Sequence, residues 1–62
     1  MTPDQIQEGK CYIGHNGGIY EVLFIQQSKG QKWVRFIKRG PEGGNGRWPI
    51  KQFAPHMREE MK

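Results

Sequence analysis

The chain has 62 residues, a net charge of +4 and a single cysteine, Cys11. A chain this short makes one small domain and buries only about 60% of the surface its unfolded form exposes, which leaves little room for a deep pocket and catalytic groups but suits a shallow binding face. One cysteine excludes an intrachain disulfide and a cysteine-rich zinc fold, and the longest apolar run, residues 22–25 (VLFI), is far short of the roughly 20 residues that span a bilayer.

The first residues are polar, with Asp4 and Glu8, and carry no signal-peptide pattern. The expectation is a soluble cytoplasmic protein without a membrane partner. Thr2-Pro3-Asp4-Gln5 has the chemistry of a helix start, and Gly9 stops that helix within two turns. Residues 10–15 (KCYIGH) read as a strand, with Cys11 and Ile13 on one face and Tyr12 on the other. Asn16-Gly17 predicts a type I′ hairpin turn, which needs positive φ at both central positions. Residues 19–27 (IYEVLFIQQ) read as the strongest strand, from their β-branched and aromatic content. Strict alternation places Tyr20, Val22 and Phe24 on one face and Ile19, Leu23 and Ile25 on the other. Both faces are then apolar, so the second one needs a cover.

Ser28-Lys29-Gly30 reads as a turn. Residues 31–39 (QKWVRFIKR) read as a third strand, with Val34 and Phe36 facing the core and Trp33, Arg35, Ile37 and Arg39 facing out. Residues 40–46 (GPEGGNG) read as a flexible loop. Residues 47–51 (RWPIK) read as a short edge strand, since proline lacks a ladder donor. Trp48 and Ile50 share its core face, with Arg47 and Lys51 on the other. Phe53, Met57 and Met61 recur every four residues and predict a short helix over 53–61. That stripe, or a homodimer, is expected to cover Ile19, Leu23 and Ile25. The sum is a single mostly β domain over 1–62: a small SH3-like barrel or roll of four to five antiparallel strands, with strands in 10–51 and a short C-terminal helix. A split of the long second strand is expected to supply the fifth strand.

Gly9 and Tyr12, Gly18, Tyr20-Glu21-Val22-Leu23, Trp48-Pro49 and Phe53 together resemble a family of small uncharacterised bacterial proteins. The family pattern is G-x-Y, a glycine turn, Y-E-V-L and W-x-R-P-x-x-x-F. This chain has an extra residue between Gly9 and Tyr12, and Pro49 directly follows Trp48. The resemblance implies an SH3-like barrel and brings no activity or functional residues with it.

Residues 29–51 hold both tryptophans and seven of the ten basic residues against one acidic residue, Glu42. Arginines supply salt-dependent phosphate contacts, and tryptophan supplies a stacking face for unpaired bases. Lys32, Trp33, Arg35, Arg39, Arg47 and Lys51 are therefore the candidate nucleic-acid-binding residues. The alternative partner is an acidic protein surface, gripped by an adaptor or inhibitor of the kind phages and mobile elements encode. The loop R-G-P-E-G-G-N-G-R lacks the G-K-[ST] ending of a Walker A loop. No carboxylate pair is placed for acid–base work. Cys11, His15 and His56 are the soft metal-ligand candidates, but Cys11 and His15 lie about 13 Å apart on one strand and cannot bind one ion unless the strand breaks at Gly14. No enzyme, metal or cofactor is expected.

Overall fold

β-branched and aromatic side chains concentrate between positions 11 and 39, and there the chain is extended. The structure, a computed structural model, describes residues 1–41 and 43–61; Glu42 of the expected loop and Lys62 lie outside them. β1 (Cys11–Gly14), β2 (Ile19–Ser28), β3 (Gln31–Arg39) and β4 (Gly44–Pro49) form an antiparallel meander. α1 (Ile50–His56) and β5 (Met57–Glu60) follow. β5 returns to pair with β1, giving the order β4-β3-β2-β1-β5. The fold is thus mostly β, as expected, and its strand order is consistent with an SH3-like roll. Pro49 does lie on an edge strand. Among the described residues no helix is long and apolar enough to cross a membrane.

The C-terminal third departs from the expectation. The helix covers Ile50–His56, not 53–61, and the fifth strand is Met57–Glu60, not a split of β2. Phe53 and Met57 are both fully buried. Phe53 reaches the core from α1 and Met57 from the first position of β5, so a spacing of four suits a helix that stops between them. The stop is abrupt: Met57 is extended, with φ −88° and ψ 133°. The Met1 ammonium donates to the carbonyls of Ala54 (3.1 Å) and Met57 (3.0 Å) at this end. Cations are favoured beside such terminal carbonyls. The helix start expected at Thr2 is a single 3₁₀ turn, Pro3–Gln5, with the Gln5 side chain accepting the Thr2 N–H at 2.8 Å.

β2 does not keep strict alternation either. Val22 pairs with Phe36, but Phe24 pairs with Arg35 and Ile25 with Val34. Leu23 is an extra residue, a bulge that bends the strand and reverses the facing of everything after it. Ile25 therefore packs against the core, while Leu23 and Phe24 are exposed at 41% and 44%. The grouping of Phe24 with Tyr20 and Val22, and of Ile25 with Ile19 and Leu23, is corrected by this one residue. The Phe53–Met57–Met61 stripe covers no such face, since Phe53 and Met57 lie in the core and Met61 is exposed.

The turns also exchange roles. Gly17 N–H donates to Gly14 O (2.9 Å), Gly14 N–H to Gly18 O (2.8 Å), and Gly18 N–H to Asn16 Oδ1 (2.9 Å). Only Gly17 has positive φ there, so the loop is a three-residue turn with a glycine bulge, not the expected type I′. The left-handed pair sits at Lys29 (φ 52°) and Gly30 (φ 76°), between the paired Ser28 and Gln31.

The core lies between the sheet and α1. Tyr12, Tyr20, Val22, Val34 and Phe36 come from the strands, Phe53 and Ala54 from the helix, and Ile6 from the N-terminal segment. Tyr12 is fully buried, accepts the Gln7 N–H at 2.7 Å and donates to Gln5 O at 3.2 Å. Burial raises its pKa above the usual value near 10, with smaller upward pushes from Glu60 and Cys11 and an opposing pull from the Gln7 N–H. The unfolded chain then ionises first. Stability from this group is whole below pH about 10 and is lost as the pH rises through the folded pKa. Tyr12→Phe is expected to lower stability at neutral pH by about 1–2 kcal/mol, because it leaves the Gln7 donor unpaired, and to blunt the alkaline loss. Denaturant titrations between neutral pH and pH about 11 measure both; an unchanged alkaline slope in the variant would assign that loss to other groups.

Candidate nucleic-acid interface

β3 has the alternation its sequence dictates. Val34 and Phe36 are buried, while Trp33, Arg35 and Ile37 are half-buried on the opposite face, away from α1. Arg35 lies directly across from Arg47 of β4 on one side and Phe24 of β2 on the other. Its guanidinium sits 5.9 Å from the Phe24 ring centre, and the Arg47 guanidinium lies 4.9 Å over the Trp33 ring. Trp33, Arg35 and Arg47, all expected in the site, are thus brought together.

Like charges directly across from one another are unfavourable. Among the described residues the ion pairs are Arg39–Glu21 (2.6 Å) and Arg58–Glu59 (3.3 Å), so neither Arg35 nor Arg47 has a carboxylate partner. Arg39 faces the same way as Arg35, but its Nη2 donates to Glu21 Oε1 and its charge is balanced. It borders the cluster without adding a free cation.

Lys32 and Lys51 lie elsewhere. Lys32 neighbours Trp33 and so faces the opposite side of β3. Lys51 was expected on a strand beside Arg47, but the strand ends at Pro49 and Lys51 belongs to the first turn of α1. Both line a groove on the helix side of the sheet, with Pro3, Gln27 and Ile50. The six expected residues therefore divide between two faces.

The structure adds residues that the sequence did not single out. Gln26 pairs with Trp33, and with Ser28, Lys29, Gln31 and Arg47 the two line a concavity of about 300 Å³. Its wall offers one aromatic face, two carboxamides, a hydroxyl and two cations. That set can stack a planar ring, hydrogen-bond its edge and neutralise an anion beside it. Gln26 and Phe24 reach this face only because of the bulge, which nothing in YEVLFIQQ marks. Cys11 is a half-buried free thiol, and His56 packs among aromatic rings, 5.2 Å from Trp48 and 5.7 Å from Tyr20. Among the described residues no group of three or more His, Cys, Asp or Glu side chains is placed to hold a metal ion. No family model, curated protein or solved structure matches the chain.

Proposed function

We propose that this protein is a non-catalytic module that binds nucleic acid through Trp33, Arg35 and Arg47. The observation that carries the reading is the Arg35–Arg47 cross-strand pair. Among the described residues neither guanidinium has a carboxylate partner, so an anion at this pair meets two uncompensated cations. A phosphate binds such a pair through charge-assisted hydrogen bonds that arginine is shaped to make. Trp33 beside the pair adds a stacking surface, so one short segment of nucleic acid engages both. Free Cys11 fits a reducing compartment such as the cytoplasm.

A second reading, an acidic protein partner, is favoured by the exposed Leu23 and Phe24 next to Arg35. Apolar side chains beside cations suit a protein interface better than a phosphate backbone. Fluorescence polarisation with labelled single- and double-stranded DNA and RNA, at low and moderate salt, separates the two. The expected result is salt-dependent binding, with Arg35→Ala lowering the slope of log K against log salt by about 0.7 for a single strand or about 0.9 for a duplex. Absence of binding to all four would refute the nucleic-acid reading and leave the acidic protein. An Arg35→Ala protein with unchanged affinity and slope would do the same.

A further inference from the structure

The β2–β3 hairpin carries a second cationic groove on its other side. β1 pairs with β2 only as far as Glu21, and β4 pairs with β3 only as far as Trp33, so residues 27–32 project past both neighbours. Gln26 and Trp33 pair on the outer face, and the next pair, Gln27 and Lys32, lies on the inner face. There Lys29, Lys32 and Lys51 line a groove of about 440 Å³, with no carboxylate in its lining among the described residues. Lys29 and Gln31, at the tip, line both this groove and the concavity of Trp33.

Lys29 is held in a costly conformation. It is the only non-glycine residue with positive φ among the described residues, at the first central position of a two-residue turn. Asn, Asp or Gly would sit there with less strain. The turn carries the Lys29 ammonium to the tip, beside both the groove and the concavity of Trp33.

We propose that the Lys29–Lys32–Lys51 groove is a phosphate-binding subsite, and that a single nucleic-acid strand passes over the hairpin tip. One base lies against Trp33 on the outer side, and a backbone phosphate lies among the three lysines on the inner side. This rests on the nucleic-acid reading and adds the class of ligand to it. The tip is a single layer of two paired strands, closed by the Lys29–Gly30 turn. A single strand turns over it by backbone rotation. A duplex, stiff over about 150 base pairs, cannot touch both faces of so narrow an edge.

The test measures binding of labelled oligodeoxythymidine and of a duplex of equal length across a salt series. Lys32→Ala/Lys51→Ala changes exposed side chains outside the Trp33 concavity. It is expected to lower the single-strand salt slope by about 0.7, the loss of one phosphate contact. Lys29→Asn is expected to weaken single-strand binding while raising the thermal midpoint, because asparagine relieves the turn. Tighter binding of the duplex than of the single strand would overturn the proposal. So would a parent-like slope in Lys32→Ala/Lys51→Ala, and if Trp33→Ala then still loses affinity, the outer-face site stands without the groove. A parent protein that binds neither probe removes both readings together.

Discussion

Phe53→Ala is expected to leave the protein without a cooperative folded state at ambient temperature. The ring is fully buried at the centre of the aromatic cluster. Its centroid lies 5.4 Å from Phe36, 6.2 Å from both Tyr20 and Trp48, and 6.4 Å from Tyr12. From α1 it packs against rings of β1, β2, β3 and β4, beside the buried Ile50 and Ala54 of the same helix. Truncating a buried phenylalanine costs about 3–5 kcal/mol. A domain of this length has a total stability of roughly 3–9 kcal/mol, at 0.05–0.15 kcal/mol per residue. The substitution therefore removes a third or more of the stability, and at the low end of that range all of it. Thermal and urea unfolding followed by near- and far-ultraviolet circular dichroism measure the effect. A variant with a sharp transition near that of the parent would show that the core does not close around Phe53.

The fold was legible where local pattern and tertiary pairing agree. β3 is the clearest case. Its alternation is unbroken, its pairing with β4 keeps one register, and each side chain faces as QKWVRFIKR implies. β2 was legible as a strand but not in its facing, because the bulge at Leu23 has no glycine or proline to announce it. The chain around it stabilises it instead: Glu8 Oε2 accepts the Ile25 N–H at 2.7 Å, just past the extra residue. β5 departs from its local pattern for a different reason. MREE is built from good helix formers, and pairing with β1 overrides that propensity.

The glycine-rich composition of residues 40–46 implies a loop, yet β4 begins at Gly44. Gly46 lies opposite Phe36, and a methyl group there would come within 2.5 Å of the Phe36 ring. That glycine makes room for a core ring within a strand, a role that composition cannot distinguish from loop flexibility. The site inherits this division. Trp33 and Arg35 come from alternation in β3, and Arg47 joins them because β4 pairs in register. Lys51 leaves the cluster because the strand stops at Pro49, and Phe24 and Gln26 enter through the bulge. Lys29 gains its place from a turn conformation that its residue type does not advertise.

The two tryptophans should respond to truncation in opposite ways. Trp33 lies on the outer face, with one side under Arg47 and the rest of the ring toward the concavity. Trp48 packs inward, with its ring centre 5.1 Å from Phe36, 5.2 Å from His56 and 6.2 Å from Tyr20. Trp48→Ala should lower stability by about 3 kcal/mol, the low end for a large aromatic because the ring is only half-buried. Its effect on binding should disappear once the folded fraction is taken into account. Trp33→Ala should melt close to the parent and bind single strands more weakly by roughly 1–3 kcal/mol for one stacked base, or about 5- to 150-fold. Melting curves and polarisation titrations on both variants decide the matter. Were Trp33→Ala to unfold as readily as Trp48→Ala, Trp33 would be a packing residue and the outer face would lose its stacking platform. Were it to fold and bind like the parent, the cations alone would hold the strand, and no base would lie on the ring.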